Sequence, residues 1–71
     1  MSNGIKRRDI KFGRWRTSVS LEDDFWHALE NAAGQEGVTV GQLVQQIDQQ
    51  RDSANLSSAI RMYLFERGKR R

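Results

Sequence analysis

The sequence predicts a small, mainly α-helical domain with one β-strand, which pairs with the same strand of a second copy of the chain. Residues 14–21 alternate between polar and apolar side chains, as a half-buried strand does. The apolar residues that follow recur every three or four positions, which is the spacing of amphipathic helices. With 71 residues and no cysteine, the chain is expected to gain stability by association rather than from disulfides.

The predicted strand runs from Arg14 to Leu21. A strand without a partner leaves backbone N–H and C=O groups unpaired and is not stable in water. Because no later segment has the pattern of a strand, we expect a two-stranded ribbon between two copies, in an intertwined homodimer. Its apolar or neutral underside carries Trp15, Thr17, Val19 and Leu21, and its polar upper face carries Arg14, Arg16, Ser18 and Ser20.

Residues 1–13 are expected to form a basic N-terminal arm, of which residues 1–8 are disordered when alone. Within it, Ile10 and Phe12 place apolar side chains at even positions, opposite in phase to the predicted strand. Gly13 lies at the phase change, as is typical of a tight turn or a bulge. Whether residues 9–12 form a short extra strand that folds back on the main one is left open. The cations of the arm are Lys6, Arg7, Arg8 and Lys11.

Two helices are predicted within the core of the domain, residues 14–52. The first begins at the three carboxylates of residues 22–24, which complement the positive end of the helix dipole, and ends at Gly37. The second begins at Thr39, with Gln42 three residues later as in a capping box. The apolar residues expected in the core of the dimer are Val19, Leu21, Phe25, Leu29, Leu43 and Ile47.

Residues 53–71 are predicted to form a C-terminal amphipathic helix and a basic tail. The helix is expected over residues 56–67, with Asn55 or Ser53 as its N-cap and Gly68 at its end. Met62 and Phe65 lie outside its apolar stripe and are expected to be exposed unless a second dimer or the protein's own core covers them.

Charge is distributed unevenly along the chain. Residues 1–16 carry six cations and one acid, residues 17–50 carry six acids and no Lys or Arg, and residues 51–71 carry six cations and two acids. For the extreme termini, solubilising tails are the alternative interpretation. Arg14 and Arg16, held on one face of a strand, favour a surface that binds a polyanion.

The strand and the residues after it also resemble a known family. The sequence reads Arg-Thr-Ser-Val-Ser-Leu-Glu at residues 16–22, then has Phe25, Leu29 and Ala33 at helical spacing, followed by Gly37, Val38 and Thr39. This pattern resembles the MetJ/Arc-type ribbon-helix-helix DNA-binding domains. The amphipathic segment at 55–61 resembles a bacterial subgroup of them, and the resemblance covers about three quarters of the chain.

The resemblance implies that the polar face of an antiparallel ribbon enters the DNA major groove. In this chain it nominates Arg14, Arg16 and Ser18 of each subunit as base contacts. Arginine suits this role because it can donate two hydrogen bonds to guanine O6 and N7. The start of the second helix would offer backbone N–H groups to a phosphate. The expected phosphate contacts are Ser20, Val38, Thr39, Val40, Lys6, Arg7, Arg8 and Lys11, of which the last four could instead enter an adjacent minor groove.

The expected function is therefore that of a sequence-specific, DNA-binding transcriptional regulator that acts as a repressor. It is expected to read a short inverted repeat as a homodimer and to form higher-order assemblies on adjacent sites. One alternative is the antitoxin of a toxin–antitoxin pair that autoregulates its operon. Another is a protein-interaction or oligomerisation module that uses the C-terminal helix, but it would leave Arg14 and Arg16 unexplained.

Several other classes of function are not expected. Catalysis would need a positioned nucleophile, base or metal, and a single histidine, His27, with no cysteine does not supply one. We therefore expect no enzyme, cofactor or metal. No apolar run approaches the roughly 20 residues that span a bilayer, and no signal-peptide core follows Met1. The expected location is the cytoplasm, in association with the nucleoid.

Overall fold

The computed structural model describes residues 4–51 and 55–69 of the chain. Over these residues it has two strands followed by three helices. None of the helices in the described ranges is long and apolar enough to cross a membrane. The elements are β1 (Ile5–Phe12), β2 (Trp15–Glu22), α1 (Asp23–Glu36), α2 (Val40–Gln50) and α3 (Leu56–Lys69).

Strand β1 is the main departure from the sequence-based prediction. It has eight residues and pairs with β2 in an antiparallel hairpin. The prediction of a disordered arm is therefore wrong for residues 5–8, and the extra strand left open at 9–12 is present and extends over residues 5–12. Strand β2 also begins at Trp15 rather than Arg14, and it ends at Glu22. Because β1 is a partner from the same chain, β2 does not need a second copy to satisfy its hydrogen bonds.

The hairpin turns through the two residues Gly13 and Arg14. Gly13 has a φ of 61°, and none of the described non-glycine residues has a positive φ. A glycine with positive φ at the first position of a two-residue loop is the type II′ pattern, which matches the twist of paired strands. The short loop pairs even positions of β1 with odd positions of β2, so that Ile10 faces Thr17. This register explains why the apolar positions change phase at Gly13.

The inner face of the hairpin packs on the three helices around one core. Val19, Leu21 and Leu29 are almost fully buried within a single chain. Burial of such a side chain contributes about 1.5–3 kcal/mol. Of the six residues predicted for the dimer core, Phe25 alone stays half-buried. The buried set is Ile10, Val19, Leu21, Trp26, Leu29, Ala32, Ala33, Leu43, Val44, Ile47, Ile60 and Leu64.

The helix boundaries follow local signals in the sequence. Gly37 adopts the left-handed conformation, with φ 73°, at the end of α1, as predicted. The Thr39 side chain caps α2, since its Oγ1 accepts a hydrogen bond from the Gln42 backbone N–H at 3.0 Å. Asn55 caps α3 in the same way; Ser53, the other predicted cap, lies outside the described residues. Helix α3 continues to Lys69, so the predicted end at Gly68 is wrong.

Helix α3 is fastened to the rest of the domain along its length. Ile60 is fully buried, and the Ser57 hydroxyl donates to the Ser20 backbone carbonyl at 3.0 Å. Arg61 donates from Nε and Nη2 to Glu22, at 3.1 Å each. These contacts place the start of α3 against β2. The opposite side of the helix leaves Met62 and Phe65 exposed, by 60% and 65%.

Candidate nucleic-acid interface

The side of the hairpin that faces away from the helices carries a compact polar surface, which we call the outer face. Directly opposed residues of an antiparallel pair project to the same side of the sheet. Most of these side chains are exposed, and Ser20 is half-buried. Three of the four cross-strand pairs on this side form the outer face: Arg7 with Ser20, Asp9 with Ser18, and Lys11 with Arg16. The fourth pair, Ile5 with Glu22, lies at the end of the hairpin where Glu22 contacts Arg61, and it is not included in the outer face.

Half of the outer face comes from β1, in the segment that was predicted to be a basic arm. Arg7 and Lys11 were predicted as phosphate contacts, and the structure places them beside the predicted base-contacting residues Arg16 and Ser18. Asp9 was not singled out. The alternation of Asp9 and Lys11 with Ile10 and Phe12 is the signal that identifies these positions, but four residues are too short a run to establish a strand.

The other two cations of β1 lie on the inner side of the hairpin. The Cζ atom of Arg8 is 4.7 Å from the centroid of the Trp26 ring, and its Nη1 is 3.1 Å from Glu30 Oε2. Lys6 Nζ is 3.7 Å from Asp23 Oδ1, and the Lys6 carbonyl accepts a hydrogen bond from Trp26 Nε1 at 3.0 Å. Lys6 and Arg8 therefore help to join β1 to α1. Both were predicted as phosphate contacts.

The three predicted base-contacting residues, Arg14, Arg16 and Ser18, lie in different surroundings. Arg14 is an exposed residue of the turn, at the tip of the hairpin, and not part of the strand. Arg16 lies on the outer face opposite Lys11. The Ser18 hydroxyl donates a hydrogen bond to Asp9 Oδ1 at 2.9 Å. The tip and the outer face together carry four cations and one acid: Arg7, Lys11, Arg14, Arg16 and Asp9.

The start of α2 lies against the hairpin near its tip. A Cβ atom added at Gly41 would collide with the backbone carbonyl of Lys11, so only glycine permits this close approach. The first N–H groups of a helix have no acceptor within it, which leaves those of Val40 and Gly41 unpaired within α2. The Val38 N–H differs, because it donates to the Ala33 carbonyl at 3.0 Å. Val38 was predicted to offer a free N–H, and this part of the prediction is wrong.

A family model described as a ribbon-helix-helix domain matches residues 5–67. The chain belongs to the ribbon-helix-helix family. The match begins with the first residue of β1 and includes most of α3, so the hairpin and the third helix are both part of the family's domain. Ribbon-helix-helix domains are in general DNA-binding regulators and are not enzymes. Comparison with curated proteins and with solved structures gave no significant match.

Proposed function

We propose that this ribbon-helix-helix protein is a sequence-specific transcriptional regulator, acting as a repressor, which inserts its β-hairpin into the major groove of DNA. The outer face of the hairpin is the observation that carries the proposal. It is polar, exposed and cationic, and it is held rigid because the opposite side of the hairpin is packed on the core. The major groove admits a two-stranded ribbon of this kind.

Arg16 is the principal base-contacting residue in this proposal. Its guanidinium can donate two hydrogen bonds to guanine O6 and N7, which discriminates against the wrong base by about 1–3 kcal/mol. Arg14 at the tip of the hairpin is a second candidate for the same contact. Arg7, which faces Ser20 across the sheet, extends the polar surface toward the other end of the hairpin.

Phosphate contacts are proposed at the start of α2 and at Lys11. The Val40 N–H lies at the positive end of the helix dipole, which favours an anion. Gly41 is buried against the Lys11 backbone, and this close approach puts the Val40 donor next to the hairpin. A ribbon in the groove would therefore bring α2 toward the sugar-phosphate backbone, which would fix the orientation of the protein on the duplex.

A homodimer is also part of the proposal, because ribbon-helix-helix domains usually dimerise. In this chain β1 pairs with β2 and the core is closed within one copy. The proposed dimer therefore joins two folded hairpins, each of which reads one half of an inverted repeat. Light scattering of the free protein and of its DNA complex measures the number of copies directly.

A salt titration of binding to random-sequence duplex DNA tests the proposal. Neutralising a phosphate contributes about −0.9 to the slope of log affinity against log salt concentration. We expect Lys11→Ala to make the slope less steep by about 0.9 if Lys11 makes one phosphate contact. Lys69→Ala removes the same charge from the end of α3, on another part of the surface, and is the matched control with an unchanged slope.

Arg16→Ala tests the sequence-specific part of the proposal. It is expected to abolish enrichment of a preferred site from a random library while the protein stays folded, as judged by circular dichroism. If Lys11→Ala and Arg16→Ala bound DNA with the wild-type slope and sequence preference, the hairpin would not be the DNA-binding surface.

An exposed apolar patch favours a second candidate function, that of a protein-interaction or oligomerisation module. Met62 and Phe65 are adjacent on the free side of α3 and are among the most exposed large apolar residues of the described chain. Large apolar side chains clustered on a surface mark interaction sites. Substitution of both residues separates this role from DNA binding.

A further inference from the structure

Asp9 is a carboxylate at the centre of an otherwise cationic surface. It lies between Arg7 and Lys11 on the same side of β1 and faces Ser18 of β2. A carboxylate in this position would be repelled by the phosphates of DNA and would lower the affinity of the hairpin for any sequence. On a surface that enters the major groove, such a residue therefore calls for a specific partner with a hydrogen-bond donor.

The hydrogen bond from Ser18 defines which partners are possible. The Ser18 hydroxyl has one proton, which it donates to Asp9 Oδ1 at 2.9 Å. The Ser18 oxygen and the ionised carboxylate then have only acceptor lone pairs to offer. Phosphate oxygens, guanine O6 and N7, and thymine O4 are acceptors as well, so none of them can pair with this group.

Two groups in the major groove are donors that fit, cytosine N4 and adenine N6. Adenine carries its N7 acceptor beside N6, and this lone pair would face the carboxylate unfavourably. Cytosine presents its N4 amine without a neighbouring acceptor on the same base. We propose that Asp9, oriented by the Ser18 hydroxyl, selects a cytosine through N4. This inference rests on the proposed insertion of the hairpin into the major groove.

The register of the hairpin places this contact relative to that of Arg16. Residues two apart on a strand lie about 6.8 Å apart on one face, which corresponds to about two base steps of 3.4 Å. Arg16 lies two residues from Ser18 and opposite Lys11. The cytosine read by Asp9 and a guanine read by Arg16 are therefore expected within about two base-pair steps of each other.

Selection of binding sites from a random duplex library tests the inference, with the wild type, Asp9→Asn and Asp9→Ala compared. The wild type is expected to enrich cytosine at one position, and replacing that base pair is expected to weaken its binding about 5- to 10-fold. Asp9→Asn is expected to shift the preference at that position to adenine, because an amide pairs with adenine N6 and N7. Asp9→Ala is expected to lose the preference and to bind random DNA more tightly.

Glu66→Gln is the control, since it removes one negative charge from the exposed side of α3. It is expected to keep the wild-type base preference. Melting curves verify that each variant is folded, and Asp9→Asn retains an oxygen that can accept the Ser18 hydrogen bond.

Failure of this inference and failure of the proposed function give different results. If Arg16→Ala loses its preferred site but Asp9→Asn and Asp9→Ala select the same bases as the wild type, Asp9 only balances charge and this inference is overturned alone. If the wild type selects no site, or if Lys11→Ala and Arg16→Ala have no effect on binding, the proposed function fails and this inference fails with it.

Discussion

The guanidinium of Arg8 lies over the indole ring of Trp26, with Cζ 4.7 Å from the ring centroid. The same guanidinium is paired with Glu30, and the Trp26 Nε1 donates to the Lys6 carbonyl at 3.0 Å. These contacts join the middle of β1 to α1 on the inner side of the hairpin. Arg7, the preceding residue, projects to the outer face, so two adjacent arginines have different surroundings.

Substituting these two arginines is expected to separate stability from DNA binding. Arg8→Ala should lower the free energy of unfolding by about 1–2 kcal/mol, because it removes a cation–π contact and a partly exposed ion pair. Arg7→Ala should change stability by less than about 0.5 kcal/mol and make the salt dependence of DNA binding less steep. Denaturant unfolding and salt titration of both variants measure the difference. The reverse pattern would contradict the assignment of the two faces.

Gly41→Ala is expected to destabilise the domain by about 1–3 kcal/mol, because its Cβ would collide with the Lys11 backbone carbonyl and force α2 away from the hairpin. Gly34→Ala is the matched control in α1, where a Cβ meets no atom within 4 Å. This control should gain up to about 1 kcal/mol from the higher helix propensity of alanine. Thermal melting compares them, and equal effects at both positions would show that α2 does not pack on the hairpin this closely.

Met62→Gln combined with Phe65→Gln tests the exposed patch on α3. Both side chains are exposed in one chain, so the double variant should fold with nearly wild-type stability. If the patch joins protein molecules bound to adjacent DNA sites, the double variant should bind less cooperatively to a duplex with two sites. Its affinity for a single site should stay the same. Unchanged cooperativity, with an unchanged oligomeric state in light scattering, would count against this role.

The contact of Glu22 with Arg61 predicts how stability changes in acid. A hydrogen bond from the Glu22 backbone N–H, and then the Arg61 guanidinium, lower the pKa of the Glu22 carboxyl below its ordinary value. The unfolded state therefore binds a proton more readily than the folded state. The stabilisation is complete above the ordinary carboxyl pKa and is lost as the pH falls through the lowered pKa of the folded state.

Glu22→Gln should consequently be less stable than the wild type at neutral pH and depend less on pH in the acid range. The two melting temperatures should converge as the wild-type carboxyl becomes protonated. Glu66→Gln, which alters a carboxylate outside this contact, should follow the wild-type pH dependence. Parallel curves for the wild type and Glu22→Gln would mean that the pKa of Glu22 is not lowered on folding.

Local signals in the sequence predicted much of the fold. The alternation from Trp15 to Leu21 predicted which side chains of β2 face the core, and it did so because successive residues of a strand project to opposite sides. Gly37 and the Thr39–Gln42 pair predicted the junction of α1 and α2, since both act through backbone geometry within a few residues. Family membership followed from the same residues and is confirmed by the match to residues 5–67.

The candidate site was predicted only in part. Arg16, Ser18 and Ser20 were assigned to the polar face of β2 from alternation alone, and the structure places them on the outer face of the hairpin. Strand β1 was recognised at most over residues 9–12, because its inner positions include the cations Lys6 and Arg8. These side chains lie against α1 in place of apolar residues, so the usual alternation of a half-buried strand is missing from the first half of β1.

The sequence by itself determined the elements whose signals lie within a few residues of one another: the face of β2, the end of α1, the start of α2, and the glycine in the hairpin turn. The tertiary structure alone decided which strand pairs with β2, which arginines lie on the outer face of the hairpin, and that Val38 has no free N–H. Each of these depends on a contact between distant parts of the chain. Trp26 meets Arg8 and Gly41 meets Lys11 only after the hairpin and helices have packed together.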